Sequence, residues 1–138
     1  MGITRKASAR WTGTGKEGNG TMSTHSGVLN NTQYSYNTRF ADGIGTNPEE
    51  LIGAAHAGCF SMKLAFVLVG AGITPESIDT SAEVILDSGA ITTINLSTKV
   101  KASGLTAEKF AELAADAKAN CPVSKLFNAT INLEAALV

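Results

Sequence analysis

A chain of 138 residues, 43% of them apolar, is the size of one globular domain and carries enough hydrophobic mass to bury a core. Charge is balanced, with 11 Lys and Arg against 12 Asp and Glu, which excludes both a basic nucleic-acid-binding face and charge-driven disorder. Arg5, Lys6 and Arg10 precede no apolar run, so the N-terminus is no secretory signal. Lys6 also stands where a myristoylation motif requires Ser or Thr, and the mature chain is expected to begin near Met1.

Residues 4–11 and 33–40 alternate as strands, and the glycines of 13–20 read as turn chemistry between strands. A phosphate loop would need a helix directly afterwards, whereas 21–24 reads as extended. Asn47-Pro48-Glu49-Glu50 places a capping Asn, a proline at the first helical position and a Glu at the third, so a helix starts there. Ile52, Ala55, Cys59, Met62, Phe66 and Val69 form one apolar stripe, while Leu51, Ala54, Gly58, Ala65 and Leu68 are apolar on another side. Such a helix needs cover on nearly every face, and it ends near Gly70 and Gly72. The apolar stretch 51–72 is interrupted by His56 and Lys63, and its charge-free run 51–62 is too short for a bilayer span. A buried core helix in a cytoplasmic protein is therefore expected.

Residues 78–87 and the alternation Ile94, Leu96, Thr98, Val100, Ala102 form a hairpin across Asp87-Ser88-Gly89. Thr106 caps a second helix with Leu105 and Phe110 as a hydrophobic staple, and Phe110, Leu113, Ala114, Ala117 and Cys121 line its inner face. Pro122 breaks it at Cys121, 125–128 closes a short last turn, and Ile131 to Leu137 alternate as a final strand. The order predicts an α+β domain spanning 1–138, with antiparallel sheets wrapped around a long buried central helix.

Two cysteines in a chain without an export signal are either inert or redox-active. Burial would raise the pKa of Cys59 and silence it, whereas Cys121, next to Pro122 at a helix break, faces the free N–H groups of the following turn. Physical chemistry alone therefore nominates Cys121 as the reactive thiol. His56 and Cys59 share a helical face, but two ligands do not make a zinc site and no Cys-x-x-Cys occurs. A Cys–His hydrolase lacks a visible acid to orient His56.

Three segments carry more than their periodicity. Asn37-Thr38-Arg39-Phe40, the block from Gly45-Thr46-Asn47-Pro48-Glu49-Glu50 through His56-Ala57-Gly58-Cys59-Phe60-Ser61-Met62, and Cys121-Pro122-Val123-Ser124 resemble the OsmC family, osmotically inducible relatives of the organic hydroperoxide resistance proteins. The resemblance runs from Trp11 to the C-terminus and, with His56 ahead of the cysteine, is closer to the OsmC branch.

It implies a thiol peroxidase in an intertwined homodimer, acting on organic hydroperoxides and more weakly on hydrogen peroxide. In that pattern Cys59 is peroxidatic, Cys121 is resolving, and Arg39 and Glu49 are the polar partners that activate Cys59. No metal or other cofactor is required. The implied reductant is an external dithiol, lipoyl-bearing rather than thioredoxin. Glu50 occupies the capping position, which leaves the activating role to Glu49. Lys63 departs from the pattern by adding a charge to the helix, and the hairpin around Gly89 looks short. Glu49 and Cys59 are ten residues apart, about 15 Å along an unbroken helix, so the implied site is expected to be shared between two chains. The competing reading is a noncatalytic stress-related dimer that binds a lipid-like apolar ligand and keeps both thiols unreactive.

Overall fold

Alternating residues and glycine turns build an antiparallel sheet of order β1-β2-β3 in the computed structural model, which describes residues 2–138. The expected start at Met1 lies outside the described residues. The strands are β1 (Ala7–Thr12), β2 (Asn19–Thr24) and β3 (Thr32–Ser35). The Trp11 and Tyr34 rings lie 5.3 Å apart over Gly20, where a Cβ would come within 2.7 Å of Trp11 and 2.6 Å of Tyr34. Glycine is required there by this close approach.

Residues 33–40 do not form one strand. After Ser35 the chain turns into the short helix α1 (Tyr36–Phe40), because the Ser35 hydroxyl accepts from the Thr38 N–H while the Thr38 hydroxyl accepts from the Ser35 N–H. That reciprocal cap overrides the alternation of the preceding residues. These elements and the first turn of the next helix make up one unit, Met1–Leu51, and the rest of the chain a second, Ile52–Val138.

The long helix α2 (Pro48–Gly70) begins as expected, with Asn47 Oδ1 accepting from the Glu50 N–H at 2.8 Å. Within the second unit it packs against β4 (Ser77–Asp87), β5 (Ala90–Lys101), α3 (Ala107–Asn120) and β6 (Thr130–Leu137), with α4 (Pro122–Leu126) following α3. Ser88 and Gly89 both have positive φ, which joins β4 to β5 by the tight hairpin their sequence calls for. One pairing departs from the antiparallel pattern. β6 runs parallel to β5, because the chain crosses over through α3 and α4 before entering the sheet. The sheet order is β4-β5-β6 and the class is α+β.

The face of α2 that is buried is not the expected stripe. His56, Phe60, Leu64 and Leu68, spaced four apart, are fully enclosed with Ile94, Val100, Phe110 and Ala117. Met62, Phe66 and Val69 are instead 65%, 69% and 57% exposed. Both faces are apolar, so hydrophobicity could not choose between them; the sheet and α3 took the one with the continuous large side chains. α2 is long and apolar enough to cross a membrane by length and composition, but the enclosure of Phe60, Leu64 and Leu68 identifies it as a core helix.

Candidate active site

The Ser35–Thr38 cap sets Arg39 in the last turn of α1. Asn47 fixes the neighbouring turn, since its Nδ2 donates to the Thr38 carbonyl at 2.9 Å while its Oδ1 caps α2. Glu50 is occupied, accepting from the Thr46 hydroxyl at 2.7 Å. Glu49 is left to meet Arg39, and the guanidinium Nε donates to Glu49 Oε1 at 2.7 Å. Glu49 is buried and its second oxygen has no partner, while 40% of the Arg39 side chain is exposed and its guanidinium stands over the Phe40 ring. The pair is a held cation whose remaining N–H groups are available.

The cysteines meet in the second unit. Cys59 lies half-buried on α2 and Cys121 is fully buried at the junction of α3 and α4, where Pro122 ends one helix and opens the next. Their sulfurs are 2.9 Å apart as free thiols, close enough to share one hydrogen. A cavity of about 250 Å³ opens on Cys59 and is lined by Met62, Lys63, Phe66, Asn120 and Pro122. Cys121 does not line it.

Burial pushes the Cys59 thiol up, as does its hydrogen bond with Cys121, and the Val123 N–H and Lys63 offset this only in part. Burial acts against Cys121 ionisation too, but hydrogen bonds from Cys59, Ser124 and the Val123 N–H outweigh it and bring this thiol below its ordinary value. Of the two thiols, Cys121 is therefore the one whose ionisation its surroundings favour. Lys63→Met removes a cation that favours the Cys59 thiolate. Alkylation of Cys59 in a Cys121→Ser background is expected to slow by up to about fivefold at neutral pH, with the profile moved to higher pH.

The four residues singled out in the sequence are therefore found as two contacting pairs, one in each unit. Among the described residues no group of three or more His, Cys, Asp or Glu side chains stands together as metal ligands would. Sequence reasoning missed Ser124, whose hydroxyl lies 2.7 Å from His56 Nε2. The two are 68 positions apart, and the only local signal was a serine three residues after the cysteine at a helix start.

The sequence pattern of the family described as OsmC-like protein matches residues 41–136. Peroxiredoxin OsmC of Escherichia coli (strain K12) is 52% identical over 138 residues, covering 97% of this chain and 96% of that protein. The crystal structure of the organic hydroperoxide resistance protein OhrB of Bacillus subtilis superposes with a TM-score of 0.69 at 30% identity, over 96% of this chain and 98% of that one. An organic hydroperoxide resistance protein from Elizabethkingia anophelis, solved with thiocyanate bound, shares the fold, with a TM-score of 0.69 at 24% identity over 99% and 98% of the two chains.

Proposed function

The chain belongs to the OsmC-like protein family and is a cysteine-based peroxidase, and from that premise we propose that Cys59 is the peroxidatic residue and Cys121 the resolving one in the reduction of organic hydroperoxides. The observation that carries the assignment is access: the cavity opens on Cys59, while the Cys121 sulfur is fully buried 2.9 Å behind it. A peroxide entering from solvent meets Cys59 first.

The Cys59 thiolate attacks the outer peroxide oxygen. The O–O bond breaks, the alkoxide leaves as alcohol after taking a proton, and Cys59 becomes a sulfenic acid. Cys121 then attacks the Cys59 sulfur, the S–O bond breaks, water leaves, and a disulfide remains for an external dithiol to reduce. Met62, Phe66 and Pro122 give the cavity an apolar wall, which favours alkyl and lipid-like hydroperoxides over hydrogen peroxide. A lipoyl-bearing protein is the proposed reductant.

Arg39, aimed by Glu49, supplies the cation that Cys59 lacks in its own surroundings. We place the pair at the Cys59 of a second copy, in a homodimer. The exposure of Met62, Phe66 and Val69 along α2 supports that arrangement, since three large apolar side chains on one helix face favour a partner. The whole chain, 1–138, is read as one functional OsmC-like domain working in the cytoplasm. The test is turnover with dihydrolipoamide and cumene hydroperoxide or hydrogen peroxide while free thiols are counted. Faster consumption of the organic peroxide with loss of both thiols is expected, and two thiols persisting after excess peroxide would refute the cycle.

A further inference from the structure

His56 is fully buried on α2, and no step of the cycle so far uses it. Its Nε2 lies 2.7 Å from the hydroxyl of Ser124, itself buried, and its Nδ1 is buried with no partner. Phe127 stands edge-on to the ring at 5.5 Å between centroids and holds its plane. Ser124 stands in the first turn of α4, three residues after Cys121, and its side chain is among the groups that bring the Cys121 thiol below its ordinary value. Two contacts, His56–Ser124 at 2.7 Å and Cys121–Cys59 at 2.9 Å, thus meet at the turn that carries both Cys121 and Ser124.

The protonation state of His56 follows from burial. An imidazolium would need a counter-charge or water, and desolvation holds His56 neutral. A neutral ring carries one N–H. On Nδ1 it would be a buried donor without an acceptor, whereas on Nε2 it meets the Ser124 oxygen and leaves only a bare lone pair unpartnered.

We propose that His56 is a positioning residue for the resolving step: protonated at Nε2, it donates to Ser124 Oγ and turns the Ser124 hydroxyl hydrogen onto the Cys121 sulfur. Ser124 then stabilises the Cys121 thiolate as nucleophile toward the Cys59 sulfenic acid. In that step the S–S bond forms and the S–O bond breaks. The sulfenic sulfur is reduced, the Cys121 sulfur is oxidised, and the hydroxide leaves as water with the proton the thiol pair had shared. The titratable groups facing Cys121 are Cys59 and, through Ser124, His56, both from α2; Lys63 faces Cys59, and Lys125 of α4 is at the surface. The inference rests on Cys121 being the resolving thiol, and its consequence is protection, because a slow resolving step leaves the sulfenic acid open to a second peroxide.

The test starts without peroxide. In the Cys59→Ser protein, the Cys121 pKa is read from thiolate ultraviolet absorbance against pH. Ser124→Ala is expected to raise it by about one unit or more, the scale of a lost hydrogen bond to a charged group. His56→Phe should raise it too, and His56→Gln, which keeps an amide donor near the Nε2 position, should bring it back toward the parent value. In the two-cysteine enzyme, Ser124→Ala should slow disulfide formation and increase severalfold the Cys59 sulfinic acid seen by mass spectrometry after a peroxide pulse. Nitrogen NMR of isotope-labelled parent protein, assigned against His25→Gln, should find His56 Nδ1 unprotonated across neutral pH, and this measurement requires no variant at the site to fold. A protonated Nδ1, or a Cys121 pKa unmoved by Ser124→Ala, overturns the relay. A Cys121 that enters no disulfide after peroxide refutes the resolving assignment instead.

Discussion

Cys59→Ser is expected to abolish peroxide consumption, a loss of roughly 10³-fold or more, while Cys121→Ser consumes about one equivalent per chain and then stalls. The asymmetry comes from two opposed properties of the pair. Cys121 is the stronger acid, because Ser124 and the Val123 N–H join Cys59 in hydrogen-bonding its sulfur. Cys59 is the accessible sulfur, because the cavity opens on it. A thiolate that peroxide cannot reach does no chemistry, so access decides the order and acidity serves the second step. Removing Cys121 leaves the sulfenic acid without its partner at 2.9 Å, and the stalled product should be sulfenic acid or its overoxidised forms. The deciding measurement is a peroxide titration of each reduced variant, followed by mass spectrometry. If Cys121→Ser lost the first turnover and Cys59→Ser kept it, acidity would outrank access and the roles would reverse.

Local rules were legible in the sequence wherever one residue type answers one backbone need. Asn47-Pro48 started α2, Thr106 with Leu105 and Phe110 started α3, Pro122 broke it, and Ser88-Gly89 turned the hairpin, each from a few adjacent residues. What stayed hidden depends on contacts between distant parts of the chain. The direction of β6 is fixed by a crossover, which no strand pattern records. The buried face of α2 was ambiguous because the helix is apolar on two sides, and only the positions of β5 and α3 select Phe60, Leu64 and Leu68. α1 was misread as strand because its cap depends on the Ser35 and Thr38 hydroxyls bonding back to the chain, a competition that alternation does not reveal.

The candidate site divides the same way. Cys59 and Cys121 could be named from residue type, but their contact across 62 positions came only with the resemblance, as did the roles of Arg39 and Glu49. Periodicity carries no information about which distant side chains meet. Adjacency did carry information at Glu50, whose capping position leaves Glu49 beside it free to pair with Arg39, as the ion pair shows.

Arg39→Met is expected to raise the Cys59 pKa by about one to two units and slow the first chemical step about ten- to a hundredfold at neutral pH. Since only the thiolate attacks, the rate should still climb with pH, so the variant's profile moves to the alkaline side without losing its plateau. Lys should rescue it only in part, because an ammonium lacks the fork that can bridge carboxylate and sulfur. The source of the cation matters as much as its presence. Burial and Cys121 push the Cys59 thiol up and Lys63 only partly offsets them, so a second cation beside Cys59 would favour its thiolate. Glu49, which aims Arg39, is separated from Cys59 by ten residues of helical rise, which favours delivery from a second chain whose α2 packs antiparallel across a twofold axis. Ala54 and Gly58, exposed on α2, are small enough to let two such helices approach closely. Inactive Cys59→Ser and slowed Glu49→Gln subunits, unfolded and refolded together, would then regain activity at one of the two heterodimer sites, where an intact Cys59 meets an intact Arg39–Glu49 pair. Mixtures should recover up to about half of the parental activity per heterodimer, one working site in two. Heterodimers confirmed by native mass spectrometry and no more active than their parents would place the cation within a single chain.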